Sequence, residues 1–94
     1  MDIRVTDAAG KPEVKVVRIV GRLDAVTCEA AQPVIIGALD KGAAGMILNM
    51  ASLEFISSAG LRIMVLLFKK AAAEKKQVAL VSVQPSIYKI FKIA

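Results

Sequence analysis

The chain contains no histidine, no tryptophan and a single cysteine, Cys28. Without histidine it cannot assemble a Ser-His-Asp triad, an imidazole metal ligand or a phosphohistidine. With one cysteine it can form neither an intrachain disulfide nor a thiolate metal cage, a pattern that fits a reducing cytoplasm. Aromatic residues are few (Phe55, Phe68, Tyr88 and Phe91), so a core must come from Val, Ile, Leu, Ala and Met. Acidic residues number 8 against 13 lysines and arginines, leaving a net charge of +5. No window approaches the roughly 18 uncharged apolar residues of a membrane span. The charged N-terminal residues lack the apolar centre of a signal peptide. A soluble, cytoplasmic protein without direct membrane insertion is expected. No Gly-rich phosphate loop, metal cluster or activated nucleophile is visible, so a non-enzyme with no cofactor, no metal and no catalytic residue is expected.

The positive balance does not read as nucleic-acid binding. Lys69, Lys70, Lys75 and Lys76 gather at one predicted helix end, where they complement the helix dipole. No aromatic residues interleave with them to stack bases. An acidic protein partner or plain solubility accounts for the charge.

What is present is a dense apolar chain, 56% hydrophobic over 94 residues, enough for one domain and too short for a second core. Residues 2–6 alternate like an edge strand, and Ala8 to Pro12 reads as a turn. Glu13–Leu23 reads as the next strand, with Val17, Ile19 and Leu23 on one face and Arg18 and Arg22 on the other. Asp24 or Thr27 caps a helix predicted over Ala25–Lys41. Pro33 inside it predicts a kink near Ala30 or a later start, and Gly42 a stop. A buried strand over Gly45–Asn49 follows, then a short loop over Met50–Ile56. A helix is predicted from Ser58 to about Lys75, a strand over Val78–Val83, and a last helix opened by Pro85. The order β-β-α-β-α-β-α predicts an α/β domain: a small, mixed, mainly parallel sheet packed against helices.

Ser57 and Ser58 stand where an apolar run ends and a helix opens. Such a place offers unpaired backbone N–H groups and the positive end of the dipole, and a phosphate there is electrostatically welcome. The ordinary account is an N-cap, worth about 1 kcal/mol. Yet one cap suffices and there are two serines. Ala59 and Gly60 behind them lack bulk, as if to let another molecule approach. Along this helix Leu61, Met64, Val65, Phe68 and Ala72 form one stripe, expected to be core. Ile63 and Leu66 fall near the polar side with Arg62, either as a docking patch or covered by a neighbouring segment. Asp24 ends the preceding strand and is expected near the serines, unless it only caps its own helix.

These pieces together resemble the STAS-domain family, and within it the bacterial anti-anti-sigma factors (anti-sigma factor antagonists). Gly21-Arg22-Leu23-Asp24-Ala25-Val26-Thr27 is similar to the family's Gly-x-Leu-Asp-x-x-Thr segment, Met46–Met50 to its central strand, and Leu53–Leu61 to its signature. The resemblance implies a single STAS domain over residues 1–94. The family's final helix after the Phe91 region is missing, so the natural chain is expected to continue past Ala94. The implied function is partner switching: the unphosphorylated domain binds an anti-sigma factor that is a serine kinase and frees a sigma factor. Phosphorylation breaks the complex, and a serine phosphatase restores it. Gly60 anchors the alignment and places the phosphoacceptor on Ser58, with Ser57 as the alternative, because Ser57 stands where the family usually has aspartate. Asp24, Thr27, Ile56, Ser57, Ala59, Gly60, Arg62, Ile63 and Leu66 are the expected partner-binding residues. The competing reading is a non-switching STAS subunit of a membrane lipid transporter or of a stress-sensing assembly. Oligomeric state is left open.

Overall fold

A computed structural model of the chain describes residues 1–40 and 42–93, with Ile93 described by its backbone alone. The elements run β1 (Asp2–Ala8), β2 (Lys11–Leu23), α1 (Cys28–Gly37), β3 (Gly45–Asn49), β4 (Leu53–Ile56), α2 (Ser58–Ala73), β5 (Gln77–Val81) and α3 (Pro85–Ile93). β1 and β2 form an antiparallel hairpin whose turn uses Gly10 at φ +73°, a conformation natural to glycine. β2, β3 and β5 are parallel neighbours, giving the order β1-β2-β3-β5, while β4 pairs with the last residues of β2. The sheet is therefore mixed and mainly parallel, as the sequence predicts.

One face of the sheet is the core. Val17, Ile19 and Leu23 of β2 and Met46 and Leu48 of β3 are buried against Ile35 of α1 and Ile63, Met64 and Leu67 of α2. The period-two face expected of β2 holds: Arg18 and Arg22 lie on the opposite, exposed side. Among the described residues no polar or charged residue is buried, so hydrophobic burial and the backbone ladder hold the domain together.

β2 begins two residues earlier than expected, at Lys11, and β5 runs over Gln77–Val81 in place of Val78–Val83; the larger differences lie in β4 and α1. The segment Leu53–Ile56, within the predicted loop, is a strand. β2 bends at Gly21, where φ is +103° and the register shifts, and β4 takes over from β3 along its last three residues. A four-residue strand that exists only through this pairing has no periodic signature of its own. α1 starts late, at Cys28, one of the two outcomes that Pro33 implied. It stops at Gly37, before Gly42, which instead occupies a turn at φ +78°. The predicted end of that helix at Lys41 lies outside the described residues. α3 begins at Pro85 as expected, and Gln84 fixes its approach by donating to the carbonyls of Ala51 (2.8 Å) and Leu53 (2.9 Å).

Candidate functional site

The carboxyl ends of parallel strands lie along one edge of a sheet, and there the chain must turn into its next element. In β2 and β4 the paired residues are Leu23 and Ile56. One residue further, Ser57 N–H donates to Leu23 O at 2.9 Å. Asp24 and Ser57 therefore leave the sheet side by side. The proximity of Asp24 to Ser57 is a consequence of this register.

The two serines do different things. Ser57 keeps an extended backbone (φ −92°, ψ 177°), and its Oγ accepts from Gly60 N–H at 3.3 Å, the N-cap arrangement. Ser58 is the first helical residue and is exposed, and its Oγ has no hydrogen-bond partner among the described residues. No acidic residue occupies the first turn of α2, so nothing anionic on the helix offsets the positive end of its dipole.

Asp24 and Thr27 lock the neighbouring turn. Asp24 Oδ1 accepts from the N–H groups of Val26 and Thr27, both at 3.0 Å. Thr27 Oγ1 accepts from Asp24 N–H at 2.9 Å and donates to Arg22 O at 2.9 Å. Both residues expected as caps thus act one turn ahead of α1, and Thr27 makes no side-chain bond at the cap position itself. The backbone N–H of Thr27, foremost, holds the Asp24 carboxyl below the usual aspartate range, with help from Val26 N–H, the Thr27 hydroxyl and Arg22. The carboxyl is ionised at neutral pH. Arg22 sits 3.9 Å from Asp24 Oδ2 and lies over the Phe55 ring at 4.3 Å from its centre, a stacked geometry that suits guanidinium.

This turn displays Val26, which is 85% exposed. The sequence reading missed it, although an apolar β-branched residue between two capping residues was the available signal. On α2 the inward residues are Gly60, Ile63, Met64, Leu67 and Ala71, so Ile63, expected near the polar side, is core. Val65 and Phe68, expected in the core stripe, are exposed at 51% and 41%. The stripe is rotated by about one residue, roughly 100°. Ser58, Arg62, Val65 and Lys69 share the outward face, with Leu66 at 39% exposure beside them. Ile56 is also buried, and Ala59 packs half-buried against the core.

Gly60 faces inward too. A Cβ built there meets Ile56 Cγ1 at 2.6 Å, Leu23 O at 3.0 Å and Leu23 Cγ at 3.1 Å. Its missing side chain lets α2 close onto the ends of β2 and β4. The steric reason is packing within the chain, not room for a visiting molecule.

The family model of the STAS domain matches residues 6–94. BtrV of Bordetella bronchiseptica, named as an anti-sigma factor antagonist, is 27% identical over 74 residues, which are 79% of this chain and 64% of that protein. The chain therefore spans less than two thirds of that relative's length. Among solved structures, unphosphorylated SpoIIAA, an anti-sigma factor antagonist, superposes with a TM-score of 0.78 at 23% identity, over 99% of this chain and 84% of its own. The phosphorylated form of SpoIIAA, a Bacillus cell fate determinant, gives 0.77 at 24%, over 98% and 82%. At such identities the likeness is one of fold. Among the described residues no helix is long and apolar enough to cross a membrane.

Proposed function

The chain belongs to the STAS family, with the anti-sigma factor antagonist type of fold, and from that premise we propose that it is a partner-switching antagonist controlled at Ser58. Unphosphorylated, it binds an anti-sigma factor that is a serine kinase and so frees a sigma factor. The kinase transfers the γ-phosphoryl group of ATP to Ser58 Oγ: the new O–P bond forms, ADP leaves, and the hydroxyl proton passes to the kinase. A serine phosphatase reverses the modification. The domain supplies a substrate side chain and no catalytic group, and a cytoplasmic location suits this role.

The observation that carries this reading is the division of labour between the serines. Ser57 spends its oxygen on the cap, which leaves the exposed Ser58 hydroxyl free to be modified without unpinning the helix. A partner could cover the exposed residues on both sides of this junction: Val26 in the locked Asp24–Thr27 turn, which leaves the sheet next to Ser57, and Arg62, Val65 and Leu66 on α2 after Ser58. A phosphate adds about −1.5 to −2 charges at neutral pH, and placed in a contact it must be desolvated. A change of about 3 kcal/mol in interface energy weakens affinity more than a hundredfold. The domain itself need not refold. Ile56, Gly60 and Ile63 contribute the shape of this surface from beneath, while Asp24, Thr27, Ser57, Ala59, Arg62 and Leu66 border it.

Mass spectrometry after incubation with the cognate kinase and ATP tests the site: one phosphate on Ser58 is expected, and its disappearance in Ser58→Ala. Ser58→Asp is expected to bind the kinase far more weakly than Ser58→Ala. Equal affinity of the two variants would sink the switch.

A further inference from the structure

Three of the four arginines are occupied. Arg4 pairs with Asp2 at 2.9 Å, Arg18 donates to Ser52 Oγ at 2.7 Å, and Arg22 is shared between Asp24 and the Phe55 ring. Arg62 has no such partner among the described residues. It lies four residues after Ser58 on the same exposed face of α2, and side chains at i and i+4 are neighbours on a helix surface. Guanidinium presents a planar fork that takes phosphate oxygens two at a time.

We propose that Arg62 is a positioning residue for the modified state: it pairs with the phosphate on Ser58 and holds it against the outer face of α2. The inference rests on Ser58 being the phosphoacceptor and adds a role that this reading does not require. The charged side chains nearest in the chain to these element ends are Arg22 and Asp24 at the close of β2, Glu54 on β4 and Glu29 in the first turn of α1, and the Met1 nitrogen lies beside Gly21. Arg22 is committed and Asp24 repels a phosphate, so Arg62 is the available counter-charge. Its pairing favours the dianion over the monoanion and leaves the phosphate in one orientation, across the surface that a partner would cover.

The test uses the whole chain carrying phosphoserine at position 58, inserted during translation so that it does not depend on any kinase. The phosphate is titrated by 31P NMR in this protein and in its Arg62→Gln, Arg62→Lys and Arg22→Gln variants. Arg62→Gln is expected to raise the titration midpoint by about 0.3 unit, a twofold gain in proton affinity. Arg62→Lys should restore most of the shift, and raised salt should shrink it. Coincident midpoints for the parent and Arg62→Gln proteins, or a larger effect from Arg22→Gln, would overturn the proposal. Failure of the kinase to modify Ser58 would overturn the functional reading and leave this measurement standing.

Discussion

Replacing Gly60 with alanine asks whether the small residue behind the serines serves the fold or a visitor. The added methyl would lie 2.6 Å from Ile56 Cγ1, 3.0 Å from Leu23 O and 3.1 Å from Leu23 Cγ. Ile56 and Leu23 are buried, and one of the contacts is a backbone oxygen at the end of β2, so little can yield without moving α2 off the sheet. Overpacking of this kind costs about 2–3 kcal/mol. Alanine recovers about 1 kcal/mol of helix propensity. The net loss should be about 1–2 kcal/mol, which lowers Tm by roughly 5–15 °C in a domain of this size. Gly37→Ala is the matched control: Gly37 ends α1, is exposed, and has nothing within 4 Å of a built Cβ. There the same substitution should gain up to about 1 kcal/mol. Urea and thermal unfolding of both variants read the two signs. If Gly60→Ala were as stable as the parent, the packing account would be wrong. If that stable protein had also lost its partner, Gly60 would be serving the docked molecule after all.

Further predictions concern the helix phase and the turn. Ile63→Ala should cost about 2–5 kcal/mol by opening a core cavity, whereas Val65→Ala should change stability by no more than about 0.5 kcal/mol; chemical denaturation giving the reverse order would restore the stripe read from sequence. The native Asp24 carboxyl is held below the ordinary value of 3.8, so its ionised form stabilises the fold. That contribution is full above the unfolded-state value and is lost as pH falls through the lower native one. Parent and Asp24→Asn proteins should therefore differ most at neutral pH and draw together only as pH falls below the ordinary value of 3.8, as followed by urea midpoints against pH. A difference that widened in acid would mean that the carboxylate is not stabilised by its turn.

Much of this was legible because it is local. The β2 face could be read from strict alternation, the β3 span from its unbroken apolar run, and the α3 start from Pro85. The α2 helix was equally clear, but its buried side was not. Leu61, Ile63, Met64, Val65, Leu66, Leu67 and Phe68 surround the helix with apolar surface, so period 3.6 fits more than one rotation. The glycine that breaks the tie looks in sequence like a gap on the surface.

Residues 21–27, 46–50 and 53–61 carried the family resemblance that named the kind of domain, and the sequence by itself also put hydroxyls at a helix opening, since caps, glycines and strand runs act over a few neighbours. Only the tertiary structure decided which serine caps and which is exposed, that Leu53–Ile56 is a strand, that Ile63 is core and Val26 is surface, and that Asp24 stands beside Ser57. Each of those outcomes depends on the register between β2 and β4 and on how closely α2 settles over their ends. The β2–β4 pairs and the approach of Gly60 to Leu23 join residues more than thirty positions apart, and they take effect when the layers close.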